Sequence, residues 1–431
     1  MTTDFQSKES AAETAVYAKV TWRLVPFLFL CYIVAYLDRV NVGFAKLQML
    51  SDLKFSESVY GFGAGIFFIG YFLFEVPSNI ILQKVGARLW IARIMISWGV
   101  ISGAMMFVTS EWTFYVMRFL LGLAEAGFFP GIILYLTYWY PSERRGKITA
   151  LFMTAVPLSG VIGGPLSGWI LQNMAGTLGY AAWQWLFLIE AIPALVMGLL
   201  VITYLSDGIV QAPWLTENEK ILMQKRIKID SEHKEDHSLR QVFANARIWL
   251  FALIYFCFVM GLYGIGFWLP TIIKSMGIIG TFNIGLLSAV PYAIAVVGMV
   301  LVSRSSDRQR ERRWHVAIPA SLGAVGLIFS AVFASNTLLA MAALSLGTFG
   351  IMTSLPLFWS LPTAYLRGTA AAAGIALINS LGNLAGFVSP YLIGLIKDRT
   401  HSTDAGMYLL AGSLVLGALL TLSIPAKSVN R

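Results

Sequence analysis

Apolar stretches of about twenty residues, each long enough to cross a hydrocarbon core as a helix, recur from one end of this chain to the other. Twelve can be marked, at 24–46, 59–83, 89–108, 112–138, 146–172, 183–205, 246–272, 282–303, 315–334, 337–363, 369–396 and 405–424. In lipid the backbone must satisfy its own hydrogen bonds, so such stretches fold as helices. Composition agrees with them. Of 431 residues, 57% are hydrophobic and 12% charged, with a mean hydropathy of +0.72; an ordinary soluble domain carries roughly 25% charged residues. So few charges cannot coat a water-soluble globule of this length. That excludes a secreted enzyme, a nucleic-acid binder and a disordered scaffold, and the expectation is an all-α membrane protein. Internal Pro77, Pro130, Pro291 and Pro390 fit bundled membrane helices, where they permit kinks.

One long polar segment, 206–245, divides the stretches six and six. Within it, Thr216 with Glu219 three residues on reads as the capped start of an amphipathic surface helix. The run from Asp230 through His233 to His237 reads as solvated linker. The expected organisation is a tail at 1–23, a six-helix bundle at 24–205, a central loop at 206–245, a second six-helix bundle at 246–424 and a tail at 425–431. The first apolar run is expected to stay in place as a membrane helix, with no removable signal peptide. Of the 31 Lys and Arg residues, 24 lie in the tails, the central loop and the even-numbered connections. Five (Lys46, Lys54, Lys274, Lys397 and Arg399) lie on the other side. The positive-inside bias puts both termini and the central loop in the cytoplasm. The net charge of +9 therefore records topology rather than affinity for nucleic acid.

Four charged residues interrupt apolar helices: Asp38, Arg39, Arg118 and Glu125. Each costs about 2.5–3.5 kcal/mol at the bilayer centre, to be offset by pairing or by a watery cavity. Arg118 and Glu125 are seven apart and share a face of helix 4. Asp38 and Arg39 are neighbours, about 100° apart around helix 1, so they turn to different partners. Chemistry assigns the roles. The planar guanidinium fork of Arg39 suits a substrate carboxylate, and Arg118 is expected to pair with Asp38 and touch substrate. Glu125 is the first candidate for a coupling proton and Asp38 the second, since a carboxyl group beside a cavity can bind and release one. A packing network that fixes helices 1 and 4 is the plain alternative. Glu190 is expected to pack, and Glu75 to be a loop partner near the inner end of helix 2.

In the second half the polar candidates are Tyr255, Tyr263, Trp268, Thr353, Trp359, Asn379 and Asn383. Asn379 and Asn383 are four apart, face one way and suit substrate hydroxyls, with Trp359 against the carbon skeleton. Tyr36 and Tyr71 complete the substrate-binding set. Interhelical hydrogen bonds and aromatic belts are the alternative reading. Cys31 and Cys257 lie inside apolar stretches and read as inert buried thiols. His233, His237, His315 and His401 have no metal-ligand spacing. Without a phosphate-binding loop or a nucleophile motif, no metal, cofactor or enzymatic activity is expected.

The halves echo one another. Pro141-Ser-Glu-Arg-Arg145-Gly146 after helix 4 is matched by Pro362-Thr-Ala-Tyr-Leu-Arg367-Gly368 after helix 10. Gln83-Lys84-Val-Gly86-Ala-Arg88 after helix 2 corresponds to Asp307-Arg308-Gln-Arg-Glu-Arg312-Arg313 after helix 8. Lys84, Gly86, Arg88, Asp307 and Arg308 are the candidate gating residues. These loops resemble the short acidic-basic signature of the major facilitator superfamily, with Gln83 where the acid usually stands. Three further strings resemble that superfamily's anion:cation symporters, especially bacterial permeases for tartrate, aromatic acids and sugar acids. They are Tyr36-Leu-Asp38-Arg39-Val-Asn41-Val-Gly43, Arg118-Phe-Leu-Leu-Gly122-Leu-Ala-Glu125-Ala-Gly127-Phe-Phe-Pro130-Gly131 and Trp183-Gln-Trp185-Leu-Phe-Leu-Ile-Glu190. Ala182 and Gln184 depart from the usual Gly and Arg.

The resemblance implies two six-helix bundles around a central cavity, Arg39 as the carboxylate clamp and a bacterial inner-membrane location. The expected function is import of a small organic anion by proton symport and alternating access. Protons, that anion and the lipid bilayer are the expected partners, with no nucleic acid, and the monomer is the expected working unit. Moving one negative charge inward against ~100 mV costs ~2.3 kcal/mol, roughly a 50-fold gradient, and one proton carried with a monoanion removes that penalty. Two rivals stand beside this reading. One is export or antiport of organic anions or drugs, suggested by Gly160-Val-Ile-Gly163-Gly164-Pro165-Leu-Ser-Gly168 on helix 5. The other is a membrane sensor that binds the anion without moving it.

Overall fold

The computed structural model describes residues 11–232, 245–365 and 368–430. His233, His237 and Arg367 of the motifs above lie outside the described residues. The twelve apolar stretches are twelve helices: α1 Glu13–Leu53, α2 Glu57–Val85, α3 Ala87–Phe107, α4 Glu111–Thr137, α5 Leu151–Asn173, α6 Ala182–Tyr204, α7 Ala246–Ser275, α8 Thr281–Gln309, α9 Arg313–Val332, α10 Thr337–Tyr365, α11 Gly374–Thr400 and α12 Asp404–Ser423. No strand occurs among the described residues. Polar residues at the boundaries start the helices by satisfying free N–H groups. Ser56 Oγ accepts from the Val59 N–H at 3.2 Å ahead of α2, and Asn245 Oδ1 accepts from the Arg247 N–H at 3.0 Å ahead of α7.

Among the described residues helical geometry runs from Ala11, well ahead of the first apolar stretch at 24. The extension is tied to the surface helix Glu217–Glu232. Arg226 Nη2 lies 2.7 Å from Glu13 Oε2 and Lys19 Nζ 2.9 Å from Glu219 Oε2. Thr216 and Glu219 form the expected reciprocal cap: the Thr216 N–H donates to Glu219 Oε2 at 2.8 Å and the Glu219 N–H to Thr216 Oγ1 at 3.4 Å.

Four helices are interrupted part-way. The helical ladder of α1 pauses at Asn41, that of α5 at Thr154 and that of α11 at Leu384. At Thr154 the cause is Pro157, which has no N–H to offer the Met153 carbonyl. The ladder of α4 stops outright after Glu125 and restarts at Phe128, with Gly127 at φ +85°. Only glycine fits there, since a Cβ would lie 2.4 Å from Ser78 Oγ.

The described ends of the chain, near Glu13 and Asn430, and the central helix lie on one side of the bundle, the near side. On the far side the two halves are fastened over a broad area. Glycines let backbones of α2 and α11 touch: a Cβ on Gly61 would sit 2.4 Å from the Pro390 carbonyl oxygen, and one on Gly394 2.5 Å from that of Glu57. Between α5 and α8, a Cβ on Gly164 would sit 2.6 Å from the Gly285 oxygen. Such small-residue contacts are how membrane helices approach closely. Ions add to the seal. Glu57 pairs with Lys46 at 2.6 Å and with Lys397 at 2.7 Å, and Asp398 accepts the N–H groups of Glu57 and Ser58 at 3.0 and 2.8 Å. Lys46 Nζ also lies 3.4 Å from the ring centre of Trp268 on α7.

Candidate functional site

A cavity of about 60 Å³ lies between the halves, walled by Tyr32, Tyr36 and Arg39 of α1, Tyr71 of α2, Tyr255 and Tyr263 of α7, and Asn379 and Asn383 of α11, among others. The α1 interruption follows Arg39 by two residues, and the α11 interruption directly follows Asn383.

Arg39 is 6% exposed. Its Nε donates to Glu125 Oε1 at 3.1 Å, its Nη2 bonds the same oxygen, and its Nη1 donates to the Tyr263 hydroxyl at 3.0 Å. A guanidinium has five N–H groups. Two are therefore left, one on each terminal nitrogen. The rings of Tyr36, Phe67 and Tyr71 surround the cation at 5.5, 5.4 and 5.5 Å, within cation–π range. Glu125 is the last residue before the α4 break and is 1% exposed.

Asp38 and Arg118 do not pair with each other, contrary to expectation. Asp38 turns to α3, accepting from Trp98 Nε1 at 2.9 Å and Ser102 Oγ at 3.0 Å. Arg118 is fully buried and donates to the backbone of α2, from Nε to the Gly63 oxygen at 3.3 Å and from Nη2 to the Ala64 oxygen at 3.2 Å. Those carbonyls take two of its donors, while Nη1 is buried with no hydrogen-bond partner among the described residues. Arg118 and Asp38 are not among the residues that wall the cavity.

Tyr36, Tyr71, Asn379 and Asn383 do wall it. Trp359 stands behind the wall, its ring 4.8 Å from that of Tyr255. Glu190 is 1% exposed and accepts from Ser167 Oγ at 2.6 Å. Glu75 is not a loop partner. It is 5% exposed and accepts from Asn379 Nδ2 at 3.0 Å and Ser380 Oγ at 3.5 Å across the seam between halves. Sequence reasoning missed that contact because its partners lie about three hundred residues away. It also missed the far-side ion cluster, although Lys46 and Lys397 stood out as two of the few basic residues on that side.

The near-side loops also rearrange their chemistry. After α2, Gly86 adopts φ +98°, and the acid absent at Gln83 comes from elsewhere. Asp207, beyond α6, accepts the Arg88 N–H at 2.9 Å and lies 3.7 Å from Arg88 Nε. A Cβ on Gly86 would lie 2.7 Å from that carboxylate. Lys84 is exposed. In the last turn of α8, Asp307 and Arg308 are exposed and form no ion pair among the described residues. Glu311 is the acid in use there. It accepts the Trp314 N–H at 2.9 Å, His315 Nδ1 at 2.9 Å and Asn430 Nδ2 at 3.1 Å. Partial burial pushes its carboxyl up, but these donors outweigh that and hold it below the usual carboxylate range.

The sequence matches the family model of the Major Facilitator Superfamily over residues 28–390. A relative from Agrobacterium vitis, provisionally named a tartrate transporter, is 53% identical over 96% of this chain and 95% of its own. A quinolone resistance transporter from Acinetobacter baumannii is 42% identical over 96% of each chain. The crystal structure of a D-xylose-proton symporter superposes with a TM-score of 0.76 at 15% identity, covering 95% of this chain and 99% of that one, a likeness of fold. With twelve spans, two six-helix bundles and this match, the chain belongs to the Major Facilitator Superfamily and is a multi-pass membrane transporter, not an enzyme.

Proposed function

We propose that this transporter imports a small organic anion, a carboxylate of the tartrate, sugar-acid or aromatic-acid class, together with one or more protons. One observation carries the reading: Arg39 walls the cavity and is simultaneously held by Glu125. Its two unspent N–H groups lie on adjacent nitrogens, the spacing that receives a carboxylate in two parallel bonds.

Charge then links anion to proton. The Arg39–Glu125 pair is neutral as a unit, so an arriving carboxylate adds one uncompensated negative charge in a medium where such charges are costly. A proton on Glu125 restores neutrality and frees Nε and Nη2. Asp38 is the second proton site, one residue along α1. Tyr36, Tyr71, Asn379 and Asn383 shape the remaining wall, Trp359 backs Tyr255, and Arg118 fixes α2 against α4 behind Phe67. The Arg88–Asp207 contact with Lys84 and Gly86, and Asp307 and Arg308 at the end of α8, lie where the near side would gate. That side, with both termini, is assigned to the cytoplasmic face of a bacterial inner membrane, an assignment the bias of basic residues supports. The bundles are assigned to 24–205 and 246–424, and the monomer is the working unit. The Agrobacterium relative's name supports a carboxylate substrate.

In proteoliposomes, labelled tartrate should accumulate under an inward proton gradient and cease to do so with a protonophore. Glu125→Gln should keep exchange of labelled for unlabelled anion while losing gradient-driven accumulation. Accumulation that ignores the protonophore refutes coupling, and equal loss of both activities makes Glu125 a packing residue. Export is a second reading, favoured by the Acinetobacter relative's name. It predicts anion flux opposite to proton flux, which a reversed pH gradient reveals.

A further inference from the structure

We infer that Glu75 makes this cavity select hydroxylated carboxylates by fixing which end of the Asn379 amide faces the substrate, an inference that rests on the carboxylate reading of the cavity. Glu75 lies on α2, ten residues from its near end and so about 15 Å inside it. It is 5% exposed and forms no ion pair among the described residues. Its oxygens accept from Asn379 Nδ2 at 3.0 Å and Ser380 Oγ at 3.5 Å, both on α11 in the opposite half.

Both oxygens of Glu75 act as acceptors, Oε1 from Asn379 and Oε2 from Ser380, and a carboxylate that accepts at both donates at neither. An amide beside it must therefore turn its NH₂ toward the carboxylate and its oxygen away. Asn379 is also part of the cavity wall. With Nδ2 committed to Glu75, the group left for the cavity is Oδ1, which has no protein donor among the described residues. Asn383, one turn along on the same wall, has no hydrogen-bond partner among the described residues either. A free amide would flip to suit a donor or an acceptor equally. Held by Glu75, it presents an acceptor alone.

The two walls then ask for different things. Arg39 offers N–H donors to a carboxylate, while Asn379 offers an acceptor that a second carboxylate or an apolar tail cannot satisfy. A hydroxyl group can. A site built to bond a hydroxyl discriminates strongly against the analogue that lacks it, because its own polar group is then left unpaired. The substrate class this selects is the α- or β-hydroxy acid, of tartrate or sugar-acid type, over its deoxy counterpart and over simple aromatic acids.

Tartrate and succinate share a carbon skeleton and both carboxylates but differ in the hydroxyls, so their KM ratio in proteoliposomes reads the effect. Galactonate and hexanoate provide a second pair. The wild type should favour the hydroxylated member at least tenfold, and Glu75→Gln, which can donate to Asn379 and lets the amide flip, should bring the ratio below threefold. The double variant Glu75→Gln/Asn379→Asp restores an acceptor facing the cavity and should recover the preference. Asn379→Ala leaves Glu75 its Ser380 donor and should also lose the preference, which guards against misfolding of the first variant. Equal KM values for both members of each pair in the wild type, or an unchanged ratio in Glu75→Gln, overturns the inference while leaving carboxylate transport intact. Transport of none of the four acids defeats the carboxylate reading itself and this inference with it.

Discussion

The two halves of the molecule wall one cavity with different chemistry. In α1–α6 the buried polar set includes Asp38, Arg39, Glu75, Arg118, Glu125 and Glu190, whereas in α7–α12 the buried polar residues described are serines and threonines. Many of the latter spend their hydroxyls on their own helix, as Ser345 does on the Met341 oxygen at 2.7 Å and Thr348 on the Leu344 oxygen at 2.9 Å. The difference has a mechanical meaning. Because Arg39 and Glu125 belong to the same half, the halves can separate at the cavity without pulling this buried ion pair apart, a step that typically costs 3–5 kcal/mol when one partner is lost. At the cavity, the contacts that cross the seam are neutral or singly charged: Tyr263 to Arg39 and Asn379 to Glu75.

Arg39→Lys tests whether the first half supplies geometry as well as charge. It keeps the cation but loses the fork and should weaken carboxylate binding more than 100-fold, about 3 kcal/mol, measured by calorimetry on the purified protein. Retention within threefold would show that any positive charge suffices. Tyr263→Phe removes the second half's direct bond to Arg39 and should cost about 1 kcal/mol, roughly fivefold in affinity. A loss as large as that of Arg39→Lys would make the halves equal partners in binding and end the contrast drawn here.

The smallest effect concerns an acid that the second half keeps outside the membrane. Glu311 is held below the usual carboxylate range by its donors, so its stabilisation is present above the ordinary Glu pKa and fades as pH falls through the lowered folded value. Glu311→Gln should lower stability by less than about 1 kcal/mol at neutral pH. The deficit should shrink in acid, read as melting temperatures at pH 7 and pH 3. A deficit that grows in acid would reverse the sign assigned to this group.

The twelve spans were legible because hydropathy over twenty residues is a local property, and the Thr216–Glu219 cap because its partners are three residues apart. Arg39 was legible from cost alone: an arginine in an apolar helix needs a reason. Partners were not. The sequence offered Asp38 and Arg118 to each other, yet each found neutral partners on a neighbouring helix. Glu75 looked like an end-of-helix residue because nothing near it in the chain indicates that α11 passes by. Likewise Gln83 looked like a lost acid until Asp207 arrived from beyond α6. Burial cost can be read along a chain, whereas the group that relieves it is chosen by packing.

The interruptions at Asn41, Gly127, Thr154 and Leu384 all fall beside the cavity, while glycine contacts clamp the far segments of α2, α5, α8 and α11. An interrupted helix bends most easily at its pause, which makes each pause a fulcrum and each near-side segment a lever. A lever of fifteen residues is about 22 Å long, so a bend of about 15° swings its tip by about 6 Å. Arg39, Glu125 and Asn383 sit within two residues of their fulcrums and move by a small fraction of that. A bend of that size would shift the near-side tips by a water molecule's width or two while Arg39, Glu125 and Asn383 stayed in register.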